Sequence, residues 1–184
     1  MVILESTKDV YRLANTDLKQ TEKNKKAMTK FLNDFEKLNN QEQMQLVQEL
    51  SKPAKGKTYI ENNNEVKLIL IYNRDRNSAV GQEAYNAVVM NKDGMFKNFA
   101  QEKVMKKQLP ANQAADFVQE MLYTLCGGGK YNEQNGGKFS LDAYDPYSGV
   151  PFNQFVKTKV IPAAYNTFQA IYNKSIAGDL AGYR

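Results

Sequence analysis

Residues 112–129 have the sequence NQAADFVQEMLYTLCGGG, which predicts a helix with both of its ends marked. Asn112 is of a residue type that caps helix N-termini, because its short side chain can accept a hydrogen bond from an unpaired backbone N–H. The three glycines at 127–129 end the helix, since glycine loses more backbone entropy in a helix than any other residue. We therefore expect a helix over residues 113–125.

Helical patterns extend on both sides of this segment. Apolar residues recur at three- and four-residue spacing over residues 80–108, and Pro110 ends that helix. Pro151 suits the first turn of a last helix that continues to about Lys174. Residues 66–72 are apolar but too few to assign to strand or helix from periodicity. Because strand signals are weak throughout, the sequence predicts an all-α protein, a helical bundle.

The N-terminal part of the chain differs in composition from the rest. Apolar residues at helical spacing, in a background rich in Lys, Asn and Gln, predict a helical hairpin that breaks near Thr21–Lys25. Residues 51–57 end the hairpin, since they contain a proline and a glycine. We therefore predict an N-terminal helical segment, 1–58, and a second domain, 59–184, with a glycine-rich loop insertion at about 127–140.

Composition excludes several classes of chemistry. The 184 residues include one cysteine and no histidine, which excludes a disulfide framework, a Cys/His zinc site, a Ser-His-Asp triad and an imidazole general base. No other catalytic set is recognisable, so we expect no enzyme activity, no metal and no cofactor. No apolar run approaches the roughly 20 residues of a membrane span, and the N-terminus does not resemble a signal peptide. We expect a cytoplasmic protein with no membrane partner.

The glycine-rich segment has two interpretations. A phosphate-binding loop needs a preceding strand and a Gly-Lys-Ser/Thr ending, but here a helix precedes the glycines and Tyr131 follows Lys130. A flexible surface insertion is therefore favoured. Such an insertion buries little, so we expect the fold to tolerate deletion of residues 130–136.

The last predicted helix combines aromatic side chains with lysines. Phe152, Phe155 and Tyr165 are interleaved with Lys157 and Lys159, in a chain of net charge +5 and pI near 9.1. Rings and cations on one element can stack bases while neutralising phosphates. Alternatively the rings form core and the lysines a solvated face, which composition alone favours.

Two short strings favour a specific function. The first is DFVQE at 116–120, and the second is YDPYSGVPFNQF at 144–155. In this order they resemble the conserved-core domain, region 2, of bacterial sigma factors of the sigma-70 type. That family has an Asp-Leu-Ile-Gln-Glu-like helix, an Asp-Pro-x-x-Gly turn, then Phe-x-x-Tyr/Phe and a DNA-facing helix. The resemblance covers roughly residues 80–175.

The resemblance implies a helical bundle like sigma region 2 with two binding surfaces. One would bind the clamp coiled coil of the largest subunit of core RNA polymerase, through Asp116, Phe117, Gln119 and Glu120. The other would contact promoter DNA, through Phe152, Phe155, Lys157, Lys159, Tyr165, Asn166 and Gln169. Helical spacing independently places residues 116, 119, 120 and 123 on one face, although an ordinary solvated face has the same spacing.

The chain departs from the family in three ways. Housekeeping members carry adjacent tryptophans where this chain has Thr158-Lys159, and the chain contains no tryptophan. Asp116 and Tyr144 are 28 positions apart, about a dozen more than usual. We expect no second promoter-reading domain, but a shortened form of a longer sigma factor would have the same sequence. A one-domain sigma resembles the late-gene sigma factors of T-even-type phages, which implies an additional transcription factor as partner and the bacterial host cytoplasm as location.

The sequence thus predicts a transcription initiation factor that binds core RNA polymerase and recognises and helps melt a −10-type promoter element. The alternative is a helical structural or interaction protein, such as a phage virion or assembly component, that does not bind polymerase.

Overall fold

A computed structural model of the chain describes residues 2–16, 18 and 23–182. These residues form helices joined by turns, and no strand occurs among them. The prediction of an all-α helical fold is therefore confirmed.

Nine α-helices occur among the described residues. In chain order they are α1 (Val2–Ala14), α2 (Lys23–Glu36), α3 (Asn40–Leu50), α4 (Asn62–Arg74), α5 (Ala79–Met105), α6 (Ala114–Leu125), α7 (Lys130–Gln134), α8 (Phe152–Phe155) and α9 (Ile161–Gly182). Two 3₁₀ turns occupy Ala111–Gln113 and Leu141–Ala143, and a π-helical turn, Val156–Val160, joins α8 to α9.

The chain divides into two compact units. The first unit comprises Met1–Asn91 and Asp145–Phe152, and the second comprises Lys92–Tyr144 and Asn153–Arg184. The predicted domain boundary at residue 58 falls inside the first unit.

The N-terminal segment contains a helix break, between α2 and α3, that the predicted two-helix hairpin does not have. Asn39 begins α3 with a capping box, in which its side chain accepts from the backbone N–H of Glu42 at 2.8 Å and the Glu42 carboxylate accepts from the backbone N–H of Asn39 at 3.1 Å. This cap separates α2 from α3. The predicted break near Thr21–Lys25 lies partly outside the described residues, and α2 begins at Lys23.

Helix α4 settles the assignment of residues 66–72, which are helical. Eight consecutive residues from Glu65 to Tyr72 are buried. A helix buried on every side has no polar face, so its sequence carries no amphipathic period.

A buried lysine of α4 supports the end of α1. Lys67 is 1% exposed, and its Nζ donates to the carbonyls of Leu13 at 3.2 Å, Ala14 at 3.1 Å and Thr16. Carbonyls at a helix C-terminus lack intrahelical partners and carry partial negative charge. The ammonium group therefore satisfies polar atoms that would otherwise be buried unpaired.

The second unit is organised around an aromatic cluster. Helix α6 packs against α9 and the π-helical turn. The Phe117 ring lies at its centre, with ring centroids 5.3 Å from Phe168, 5.7 Å from Tyr165 and 6.1 Å from Phe99. These contacts hold α6 in place by one face only.

The glycine-rich segment is not the open loop that the sequence predicted. Helix α7 forms within it, and Asn132 is 1% exposed. The Asn132 side chain donates to the carbonyls of Thr124 at 3.1 Å and Gly128 at 3.3 Å, and accepts from the N–H of Phe139 at 3.1 Å. One buried amide thus joins three backbone groups, while Glu133, Gln134 and Gly136 around it are exposed. The expectation that the fold tolerates deletion of residues 130–136 stays a prediction.

Candidate functional site

Helix α6 presents a polar outer face. Its apolar residues Phe117, Met121 and Leu125 are fully buried, and this anchors the helix. Asp116, Gln119 and Tyr123 are exposed at spacings of three and four residues, so they share the opposite side. We call these three residues the outer α6 face.

The four residues predicted to bind polymerase separate into two groups. Asp116 and Gln119 belong to the outer α6 face. Phe117 is 0% exposed, so it forms core instead of offering a contact. Glu120 is half-buried: its Oε1 atom is buried with no hydrogen-bond partner among the described residues, and burial raises the pKa of its carboxyl. Only two of the four side chains are therefore fully available to a partner.

Tyr123 is a surface residue that the predicted contacts omitted. It is 58% exposed, and its ring lies against the backbone of Gly128, where a Cβ would come within 2.4 Å of ring atoms Cε1 and Cζ. The glycine therefore allows the ring to rest flat against the chain. Helical spacing from Gln119 already placed Tyr123 on this face, but nothing in the sequence indicated its packing against Gly128.

The two predicted DNA-contacting lysines, Lys157 and Lys159, are exposed and lie in the π-helical turn. In the π-helical turn the N–H of Ile161 donates to the carbonyl of Val156, five residues earlier. Val156 and Val160, four residues apart, are buried, while Lys157, Thr158 and Lys159 between them are consecutive exposed residues. We call residues 157–159 the basic turn.

The aromatic residues predicted to contact DNA are less exposed than a side chain that stacks on bases needs to be. Phe152 is fully buried. Phe155 is half-buried, with its ring centroid 5.2 Å from that of Tyr144. Tyr165 is half-buried too, and Lys103 Nζ lies 5.0 Å from the centre of its ring. Phe152 is therefore a core residue, whereas Phe155 and Tyr165 are only partly exposed.

The two predicted amide contacts are fully on the surface. Asn166 and Gln169 are exposed on α9. Together with Lys159 and Pro162, which are also exposed, they follow one side of the helix at spacings of three and four residues. We call Asn166 and Gln169 the amide strip. It lies on the same side of the helix as Lys159 of the basic turn.

Two other kinds of feature are absent from the part of the chain that the structure describes. Within residues 2–16, 18 and 23–182 no group of three or more acidic or cysteine side chains could hold a metal ion. In the same part of the chain no helix has the length and apolarity needed to cross a membrane. Comparison with protein-family models, with curated proteins and with solved structures finds no match to this chain.

Proposed function

We propose that this protein is a sigma-like transcription initiation factor that binds core RNA polymerase and contacts a −10-type promoter element. The observation that carries the proposal is that the second unit exposes two polar surfaces of different chemistry at positions where the resemblance to sigma region 2 implies contacts. These are the outer α6 face and the basic turn with its amide strip.

The outer α6 face suits a basic helical partner. It combines the carboxylate of Asp116, the amide of Gln119 and the exposed ring of Tyr123. Tyrosine is enriched among the residues that dominate binding energy, because it buries a large area with few rotatable bonds. The fully buried side of α6 fixes the helix, so little conformational freedom is lost when its outer side binds. Tyr123 replaces Phe117 in the proposed contact set.

The basic turn and amide strip suit a nucleic acid. Lys157 and Lys159 can neutralise phosphates, which positions a protein on DNA without reading sequence. The Asn166 and Gln169 side chains can each pair with a base edge, since an amide offers a donor and an acceptor side by side. Phe152 is fully buried, so this proposal gives it no contact with bases.

Charge reversal on α6 tests the polymerase contact. We expect Asp116→Lys with Gln119→Lys to weaken retention by bacterial core RNA polymerase at least tenfold, because both side chains are exposed and the change inverts the charge of the face. Gln101→Lys with Glu102→Lys is the matched control, since it makes the same changes at exposed positions of α5. Circular dichroism reports folding, and pull-down with core polymerase reports binding.

The outcomes separate the two functions that the sequence allows. Loss of retention in the α6 variant alone supports the proposal. Equal retention of the parent and both variants contradicts the assignment of this face. A folded parent chain that core polymerase does not retain favours the alternative, a helical structural or interaction protein.

Substitutions in the second surface test the DNA contact on the assembled complex. Lys157→Gln with Lys159→Gln should weaken binding equally on different promoters and reduce the log–log salt slope by about 2, since each phosphate contact contributes about 0.9. Asn166→Ala with Gln169→Ala should instead change the preference between promoter sequences. Lys106→Gln with Lys138→Gln, at two other exposed positions, is the control for charge. Unchanged promoter binding by both test variants would contradict the proposed surface.

A further inference from the structure

Helix α2 carries a second, separate basic surface in the first unit. Lys25, Lys26, Lys30 and Lys37 are exposed, and with Thr29, Asn33 and Asp34 they line an open groove along the helix. We call the four lysines the α2 basic face. The face covers thirteen residues, from Lys25 to Lys37, the residue directly after α2, and twelve steps of about 1.5 Å make it about 18 Å long.

The one carboxylate in the groove does not cancel this charge. Asp34 is 20% exposed at its side chain, and its oxygens lie 3.8 Å from the Arg12 guanidinium and 3.9 Å from Lys37 Nζ. Among the described residues, no carboxylate lies within 4 Å of Lys25, Lys26 or Lys30. The face therefore has an excess of positive charge.

The opposite side of α2 explains why the lysines are presented together. Met28, Phe31 and Phe35 are buried, and α2 packs against α1 and α4. No large apolar side chain that the structure describes on α2 is exposed. A membrane-bound amphipathic helix inserts such side chains beside its basic face, so α2 lacks the group that a lipid surface would take up.

The composition of the face also argues against a protein partner. Protein interfaces are enriched in aromatic residues, Met and Arg and depleted in Lys, whereas this groove contains lysines, a threonine and an asparagine. Lysine, threonine and asparagine are common contacts to phosphate oxygens. An 18 Å row of ammonium groups is as long as the axial rise of about five base pairs of duplex DNA, at about 3.4 Å of axis per phosphate of one strand.

We propose that the α2 basic face binds the phosphate backbone of duplex nucleic acid without reading its sequence. This gives the N-terminal helical segment a role that does not depend on polymerase binding. Four lysine–phosphate contacts contribute a log–log salt slope of about −3.6, which corresponds to about 150-fold in affinity between 50 and 200 mM salt.

The test measures binding of the whole chain to a labelled duplex DNA of arbitrary sequence by fluorescence anisotropy, between about 50 and 200 mM KCl. We expect replacement of all four lysines of the α2 basic face by glutamine to weaken binding at least tenfold at the lowest salt and to make the slope less steep by about 3–4. The control has the same loss of charge elsewhere, at Lys55, Lys106, Lys107 and Lys138, all of them exposed. It should retain the slope of the parent, and circular dichroism checks that both variants fold.

Four results would overturn the proposal. They are equal losses in the two quadruple variants, no binding of the parent at about 50 mM KCl, loss only on replacement of Lys157 and Lys159, and binding of the parent to phosphatidylserine vesicles but not to DNA. Because the assay contains no polymerase, its outcome is independent of whether the outer α6 face binds that enzyme.

Discussion

Replacing Asn132 with alanine should lower the free energy of unfolding by about 2–4 kcal/mol. The substitution removes hydrogen bonds to the carbonyls of Thr124 and Gly128 and from the N–H of Phe139, at 3.1–3.3 Å. Each bond contributes about 0.5–1.5 kcal/mol, and a buried group left unpaired costs about 1–3 kcal/mol. A loss of this size is a large fraction of the usual 5–15 kcal/mol of a folded protein.

Urea denaturation followed by circular dichroism measures this loss, and thermal unfolding should show a midpoint lower by about 5–15 °C. Gln134→Ala is the matched control, because Gln134 is an exposed amide residue on the same short helix. It should change stability by less than about 0.5 kcal/mol. If Asn132→Ala is as stable as the control, the Asn132 amide does not stabilise the segment 130–140. That result would support the expectation that the fold tolerates deletion of residues 130–136.

Three further substitutions test other parts of the fold. Lys67→Met should lower the free energy of unfolding, measured by urea denaturation, by about 2–4 kcal/mol. The substitution removes three charge-assisted hydrogen bonds, and this loss exceeds the gain from removing a buried charge. The control Lys55→Met, at an exposed position, should have no measurable effect. Gly94→Ala should raise the free energy of unfolding by about 0.5–1 kcal/mol, because Gly94 is helical and a Cβ there meets nothing within 4 Å. A lower free energy of unfolding would contradict the absence of a steric contact at this position. Burial raises the pKa of Glu120 in the folded state, so the folded chain binds that proton more tightly and stability falls as pH rises above the ordinary value of 4.5. Glu120→Gln should therefore melt higher than the parent at pH 7, with the advantage gone at pH 4; an advantage that grows on acidification would refute this cause.

Local signals in the sequence located helix α6, but the prediction that Asn112 caps it is wrong. Asn112 lies within the preceding 3₁₀ turn, and the N-cap residue Gln113 makes no capping hydrogen bond with its side chain. The glycines after Leu125 predicted its end correctly, and the start at Ala114 is one residue from the prediction. Helix α4 could not be assigned, because burial of all its sides leaves no periodic pattern. The role of Asn132 could not be predicted either, because a polar residue in a glycine-rich segment does not indicate that its amide is buried.

The candidate surfaces were predictable only as far as helical spacing determines them. Spacing put Asp116 and Gln119 on one face, and both are exposed. Phe117 packs against rings far away in the sequence, at positions 99, 165 and 168, so the motif alone could not show that Phe117 is a core residue and not a contact. The exposure of Lys157 and Lys159 agrees with the prediction, whereas the π-helical geometry of residues 156–160 is rare and was not predicted.

The central claim, that this chain is a sigma-like factor, is tested most directly by competition for core RNA polymerase. The labelled intact chain is titrated with bacterial core enzyme, and an unlabelled housekeeping sigma factor is then added. We predict one chain bound per core enzyme, displacement by the sigma factor, and no binding by the Asp116→Lys, Gln119→Lys variant. A folded chain that does not bind, or that stays bound when the sigma factor occupies the clamp coiled coil, would contradict the claim.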